Sequence, residues 1–182
     1  MAVFPAVPLI SPEEYLNSSY RPDMEYVEGV LVERGMPTIA HSILQMILIQ
    51  YFGRYQEEFR FLTLPEVRTQ IIERARYRIP DIMLCPVPVP AGKVITSIPW
   101  VVIEILSPDD KFKEQLERFQ DYGRVGVGIS MLLDPERSVA HRFEEGSLIK
   151  TQFAELRLPS GSVPFDTEVL FQQLIEQRRQ GS

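Results

Sequence analysis

The order of apolar and polar positions divides the chain into short periodic segments. "SPEEYL" reads as a helix start, with Ser11 as N-cap, Pro12 at the first helical position and Glu14 closing a capping box. "MEYVEGVLVER" alternates around Gly29 and predicts two strands joined by a tight turn. "HSILQMILIQYFGRYQEEF" has the helical period. His41, Leu44, Leu48, Tyr51 and Tyr55 share one face, and Met46, Ile47 and Ile49 make the opposite side apolar too. A helix apolar nearly all round is buried on both sides, by its own domain or by a partner chain.

"EVRTQIIER" and "YRIPDIMLC" follow as strands, and the three prolines of "CPVPVPAG" make that stretch a loop. "WVVIEIL" is apolar on both faces, as in the centre of a covered sheet. "SPDDKFKEQLERFQDYG" predicts an amphipathic helix, capped by Ser107, begun by Pro108 and lined inside by Phe112, Leu116 and Phe119. "ISMLLD" and "SVAHRF" are strands across the turn "DPERS", and "FDTEVLFQQLIEQRRQ" closes with a helix. The order is strand pair, helix, three strands, helix, two strands, helix, which predicts an α/β or α+β fold.

Composition narrows the classes. The chain has 182 residues, enough for one domain over 1–182, with a core at about 20–143 and a C-terminal strand and helix at about 147–180. Hydrophobic residues make up 45%, so a folded core is expected. The net charge of -6 argues against a dedicated nucleic-acid binder, which is usually basic. It leaves room for a local basic patch or for a metal that neutralises acidic groups. A single cysteine, Cys85, excludes an internal disulfide and a thiolate metal cluster and fits a reducing cytoplasm. No apolar run approaches the roughly 20 residues of a membrane span. The opening "MAVFPAVPLI" lacks a basic start and carries two prolines, so no signal peptide is expected.

The strand "VVIEIL" contains an anomaly. Glu104 is a carboxylate inside an apolar run, costly to bury unless something pairs with it. Asp81 opens the strand "PDIML" just before it. If the two strands pair, the carboxylates can meet, and they repel unless a cation lies between them. A hard divalent ion such as magnesium or manganese takes oxygen ligands and keeps several waters. It can polarise a phosphoryl oxygen and activate a water. The plainer reading also stands: Glu104 at a sheet edge or paired with an arginine such as Arg78, and Asp81 as an ordinary strand-start residue.

A strand opening with "PD", a strand carrying Glu, then a helix resembles the PD-(D/E)XK nuclease superfamily. The chain is more closely similar to the Uma2 family of restriction-endonuclease-like proteins. The matching stretches are "YVEGVLVER", "HSILQMILIQYF", "RIPDIML", "VIEILSPDD" and "ERFQDYGRVGV" followed by "LLDPERSVAHRF", in the family's order. The resemblance implies a restriction-endonuclease-like fold, a mixed sheet flanked by helices with an N-terminal β-hairpin. It implies magnesium- or manganese-dependent endonuclease activity on DNA, with Asp81 and Glu104 as metal ligands and the backbone carbonyl of Ile105 as a third. Glu25 and His41 match polar positions near such a site. The superfamily's lysine two residues after the glutamate is replaced by Leu106, and the family's lysine on the following helix by Arg118. Arginine cannot serve as a base, but it can hold a phosphate. A second function class is therefore a nuclease fold acting as a nucleic-acid- or protein-binding module.

Each candidate also has a structural reading. His41 can be a core histidine bonded to a carbonyl, and Arg118 can pair with Glu114 one turn earlier. Glu25 can be an exposed strand residue, with Glu66 of similar standing. Asp109 and Asp110 suit a helix's first turn, and Lys111 and Lys113 a solvated face. The apolar helix predicts a homodimer, which would suit cleavage of both strands of a duplex.

Overall fold

The computed structural model describes residues 9–180; the opening stretch in which no signal peptide is expected lies, apart from Leu9 and Ile10, outside them. Helix α1 (Pro12–Asn17) starts as the capping pattern predicts, the Ser11 side chain accepting the Glu14 N–H at 3.1 Å. Strands β1 (Glu25–Val27) and β2 (Val30–Val32) form the expected hairpin. Gly29, at φ 93°, takes the left-handed turn position that a side chain would strain. Next come α2 (Ile39–Gly53), α3 (Gln56–Phe59), β3 (Phe61–Leu64), β4 (Thr69–Ile72), β5 (Arg76–Arg78), β6 (Ile82–Pro86) and β7 (Val101–Ile105). Helix α4 (Phe112–Val125), β8 (Ile129–Asp134), β9 (Val139–Glu144), β10 (Ser147–Lys150), β11 (Glu155–Leu158), β12 (Gly161–Pro164) and α5 (Thr167–Gln180) complete the chain.

The main sheet has six strands in the order β10-β9-β8-β7-β6-β3, with β7 and β8 parallel and the other pairs antiparallel. Its two faces follow the strand period of two. Val101, Ile103 and Ile105 point to the larger core, shared with Leu44, Leu48 and Phe52 of α2 and Leu170 and Leu174 of α5. Val102 points to the other core, with Met83, Leu132, and Phe119 and Tyr122 of α4. Glu104, two residues from Val102, therefore falls on the α4 side. The hairpin continues through β5 into a second, antiparallel sheet in the order β2-β1-β5-β4.

Four details differ from the sequence expectation. "YRIPDIMLC" is not one strand: it breaks at Pro80 into β5 and β6, which belong to different sheets. Proline has no N–H to continue a ladder, so Asp81 falls at the switch between the sheets. Strand β3 lies at the main sheet's edge, and the C-terminal region holds three short strands before its helix. The α4 helix starts at Phe112, not Pro108. Asp110 instead closes a turn on Ser107, its carboxylate accepting the Ser107 N–H at 2.7 Å while its own N–H bonds the Ser107 carbonyl at 3.0 Å. Phe112 accordingly stays 69% exposed, and the buried face of α4 is Gln115, Arg118, Phe119, Asp121 and Tyr122. Finally, α2 is not covered all round. Ile47 is core and α5 packs against the helix, but Ile39 and Met46 remain exposed.

Candidate active site

The antiparallel register of β6 and β7 builds the site. Ile82 pairs with Ile103, so one step further Asp81 stands opposite Glu104. Both are buried, at 5% and 3% exposure. The Ile105 N–H donates to Asp81 Oδ2 at 2.7 Å, and Gln45 of α2 donates to the Asp81 carbonyl at 3.1 Å. His41 Nε2 lies 3.2 Å from Asp81 Oδ2, and Arg34 Nη2 is 2.6 Å from Asp81 Oδ1. Burial works against the Asp81 charge, but the His41 hydrogen bond and the Arg34 charge outweigh it and hold the carboxyl below its ordinary range.

Glu104 has the opposite balance. It accepts a hydrogen bond from the Tyr122 hydroxyl of α4. Burial, and then the facing Asp81 charge, push its pKa up to about 8, against the pull of Arg118 and Tyr122. Two carboxylates on adjoining strands thus hold different states near neutrality, one ionised and one protonated. The consequence for stability has a definite sign. Glu104 contributes fully below its ordinary 4.5, and the contribution is lost as pH rises through about 8. In chelator, thermal melts of the wild type are expected to fall over that window relative to Glu104→Gln. Parallel curves for the two proteins would show that Glu104 ionises normally.

Behind these carboxylates lies a buried ion network. Glu25 of β1 accepts from the Ile79 N–H at 3.1 Å, from Arg78 Nη1 at 2.7 Å and from Arg118 Nε at 3.2 Å. Its charge is held by Arg118 and Arg78 against full burial, which alone would favour the neutral acid. Arg78 reaches on to Asp121 of α4, which also takes Arg76 at 2.7 Å. The network ties the small sheet to α4 and aims Arg118 toward the carboxylates.

The pocket above this cluster is lined by Arg34, Gly35, His41, Asp81, Glu104, Ile105, Ser107, Asp110, Gln115 and Arg118. Asp81, Glu104, Ile105, His41 and Arg118 line one pocket, whereas Glu25 sits one layer behind, with both oxygens engaged. Glu66 is a neighbour only, 3.7 Å from Arg34 Nη1 and half exposed. Lys111 and Lys113 pair with Glu114 and Glu117 in solvent, so Arg118 has no partner in Glu114. Asp109 stays exposed, while Asp110 reaches the pocket wall. Sequence reasoning missed Arg34, Gln45, Gln115 and Tyr122. Tyr122 had a weak signal, one helical turn after Arg118; Arg34 and Gln45 had none, because only folding brings them to Asp81.

The donor set fits a hard divalent cation. Among the described residues no group of three His, Cys, Asp or Glu side chains is arranged for a metal. A site of two carboxylates and a backbone carbonyl, completed by water, is the pattern of magnesium rather than of zinc. Two facing buried carboxylates, one driven to hold a proton, are also what such a cation would relieve.

Solved structures include a chain of the same shape: the crystal structure of a "putative nuclease" of the family DUF820 from Anabaena variabilis superposes with a TM-score of 0.76. It is 21% identical, and the match covers 91% of this chain and 99% of that one. At that identity the likeness speaks for the fold, the restriction-endonuclease-like α+β arrangement expected from the sequence. No curated protein matches the chain. Matched over residues 12–169 by the Uma2 family model, whose description is "Putative restriction endonuclease", the chain belongs to the Uma2 family.

Proposed function

We propose that the protein is a divalent-metal-dependent endonuclease that hydrolyses phosphodiester bonds of DNA. The observation that carries this reading is Asp81 facing Glu104 in a buried strand register beside a buried arginine. Asp81, Glu104 and the Ile105 carbonyl would hold magnesium or manganese. Bound there, the ion would polarise the phosphoryl oxygen and lower the pKa of a water. The chain's own side chains do the rest. Tyr122 holds the Glu104 carboxyl, and Ile105 N–H and His41 hold Asp81. Arg118, fixed by Glu25, offers a permanent charge to the phosphate but cannot take a proton. His41 Nε2 donates to Asp81, and its Nδ1 is buried without a partner.

The direct test needs no substrate: manganese titrated calorimetrically into wild type and into Glu104→Gln. Saturable binding in wild type that the variant loses is the expected result. No binding by wild type would remove the metal reading.

One observation favours a second reading, a binding module without catalysis. Leu106 and Arg118 stand where lysines would supply a titratable amine. DNA affinity that falls steeply with salt, with no cleavage in magnesium or manganese, would be its signature.

The proposal includes a homodimer, supported by the exposed Ile39 and Met46 of α2. Light scattering at micromolar concentration is expected to give the mass of two 21.0 kDa chains; a clean monomer removes the dimer. No helix of the described residues is long and apolar enough to cross a membrane, and a cytoplasmic location remains part of the proposal.

A further inference from the structure

Arg34 belongs to neither the strand pair nor the long helix. It lies in the segment between β2 and α2, flanked by the exposed Glu33, Met36 and Pro37. Its guanidinium nevertheless reaches the buried Asp81, with Nη2 2.6 Å from Asp81 Oδ1 and Nη1 3.7 Å from Glu66 Oε1. Gly35 makes this approach possible. A Cβ there would lie 2.9 Å from Asp110 Oδ1 and 3.5 Å from the Ser107 Cβ, so a larger residue would have to displace the Asp110 carboxylate. Three features therefore coincide: a permanent cation, the Asp81 carboxylate that faces Glu104, and a connecting segment with few buried residues.

Here the anchoring element is a connection, and its cation sits on one of the two carboxylates assigned to a divalent ion. We propose that Arg34 is the resident counter-ion of the metal site: it neutralises Asp81 in the metal-free protein and must leave that carboxylate oxygen when the ion binds. This rests on the metal reading of Asp81 and Glu104 given above. It makes loading a competition, so the protein's metal affinity is set below what its two carboxylates allow. It also leaves Asp81 charge-paired before any metal arrives.

The consequences are opposite in sign for stability and for affinity, which separates this role from that of a structural brace. Arg34→Gln leaves a buried carboxylate short of its counter-charge, so the metal-free melting temperature is expected to fall. The same variant is expected to bind manganese more tightly, by roughly tenfold, the scale of one charge-assisted hydrogen bond no longer to be broken. Saturating manganese is expected to return its melting temperature to that of metal-loaded wild type. Arg34→Lys keeps the charge but gives up the planar fork and shortens the reach. It is expected to bind metal with an affinity between the other two.

The experiment is calorimetric titration of manganese into the full chain of wild type, Arg34→Gln and Arg34→Lys, with melts run with and without the metal. The expected order of affinity is Gln, then Lys, then wild type, with metal rescue of the Gln variant's melt. Wild-type binding with unchanged or weakened affinity in Arg34→Gln overturns the counter-ion role and leaves the metal site standing. A Lys variant that binds like wild type shows that only charge at a distance matters, and also overturns it. If Arg34→Gln does not fold, the comparison of Lys with wild type decides alone. Absence of saturable binding in wild type and in every folded variant would remove the metal reading itself, and this proposal with it.

Discussion

Glu104→Gln is expected to lower magnesium-dependent DNA cleavage by roughly a thousandfold while leaving the protein folded. The loss follows from the role: a metal ligand supplies several kcal/mol of transition-state charge stabilisation, and about 4 kcal/mol is three decades of rate. The retained fold follows from the site's electrostatics. Burial and the Asp81 charge already push Glu104 up to about 8, so near neutrality its carboxyl carries a proton in the metal-free protein. Glutamine has the same shape and the same neutral charge, and its amide oxygen can still accept from Tyr122. The check is a plasmid-nicking assay in magnesium and in manganese beside a denaturant melt. Wild-type cleavage by Glu104→Gln would place the chemistry elsewhere, and a cooperative melt close to wild type would exclude misfolding as the cause of a loss.

Glu25→Ala is expected to destabilise the protein by about 3–5 kcal/mol, the range for breaking a buried ion pair from one side. Glu25 is fully buried and serves three donors, the Ile79 N–H, Arg78 and Arg118. Its removal leaves Arg118 without its ion-pair partner in a site only 5% exposed, and leaves Arg78 with Asp121 alone. The control is the exposed pair Arg142–Glu144 on β9, 3.0 Å apart, where Glu144→Ala should cost under about 1 kcal/mol. Urea melts of both variants make the comparison. A loss at Glu25 no larger than at Glu144 would mean that the network relaxes freely around the gap. A stable Glu25→Ala that cleaved as well as wild type would mean that Arg118 is not held for the reaction by Glu25.

These two residues also show how far a linear reading carries. Glu104 was conspicuous because a carboxylate interrupts a strand that is apolar on both faces, and the cost of burying it demands a reason. Asp81 was visible at the start of the preceding strand, but the break at Pro80 that leaves it between two sheets was not anticipated. The capping box at Ser11, the Gly29 turn and the apolar face of α2 are local, so spacing alone predicts them. Glu25 was marked only by the family resemblance; its position alone reads as an ordinary strand glutamate. Its burial depends on Arg78 and Arg118, which lie 53 and 93 positions away along the chain.

The linear pattern carried the alternation of strands and helices, the expectation that Asp81 and Glu104 meet if their strands pair, and the family resemblance of the motifs. It could do so because strand period, helix period, capping and the cost of a buried charge act over a few residues. Tertiary packing alone settles which cations meet those carboxylates. Arg34 reaches Asp81 across 47 positions, and Tyr122 reaches Glu104 from α4, the crossover helix between β7 and β8. It also decided where α4 begins, because the Ser107–Asp110 turn satisfied backbone groups that the helix would otherwise have used. Charge pairing in a buried site is settled by three-dimensional distance and desolvation, and neither quantity is a property of spacing along the chain.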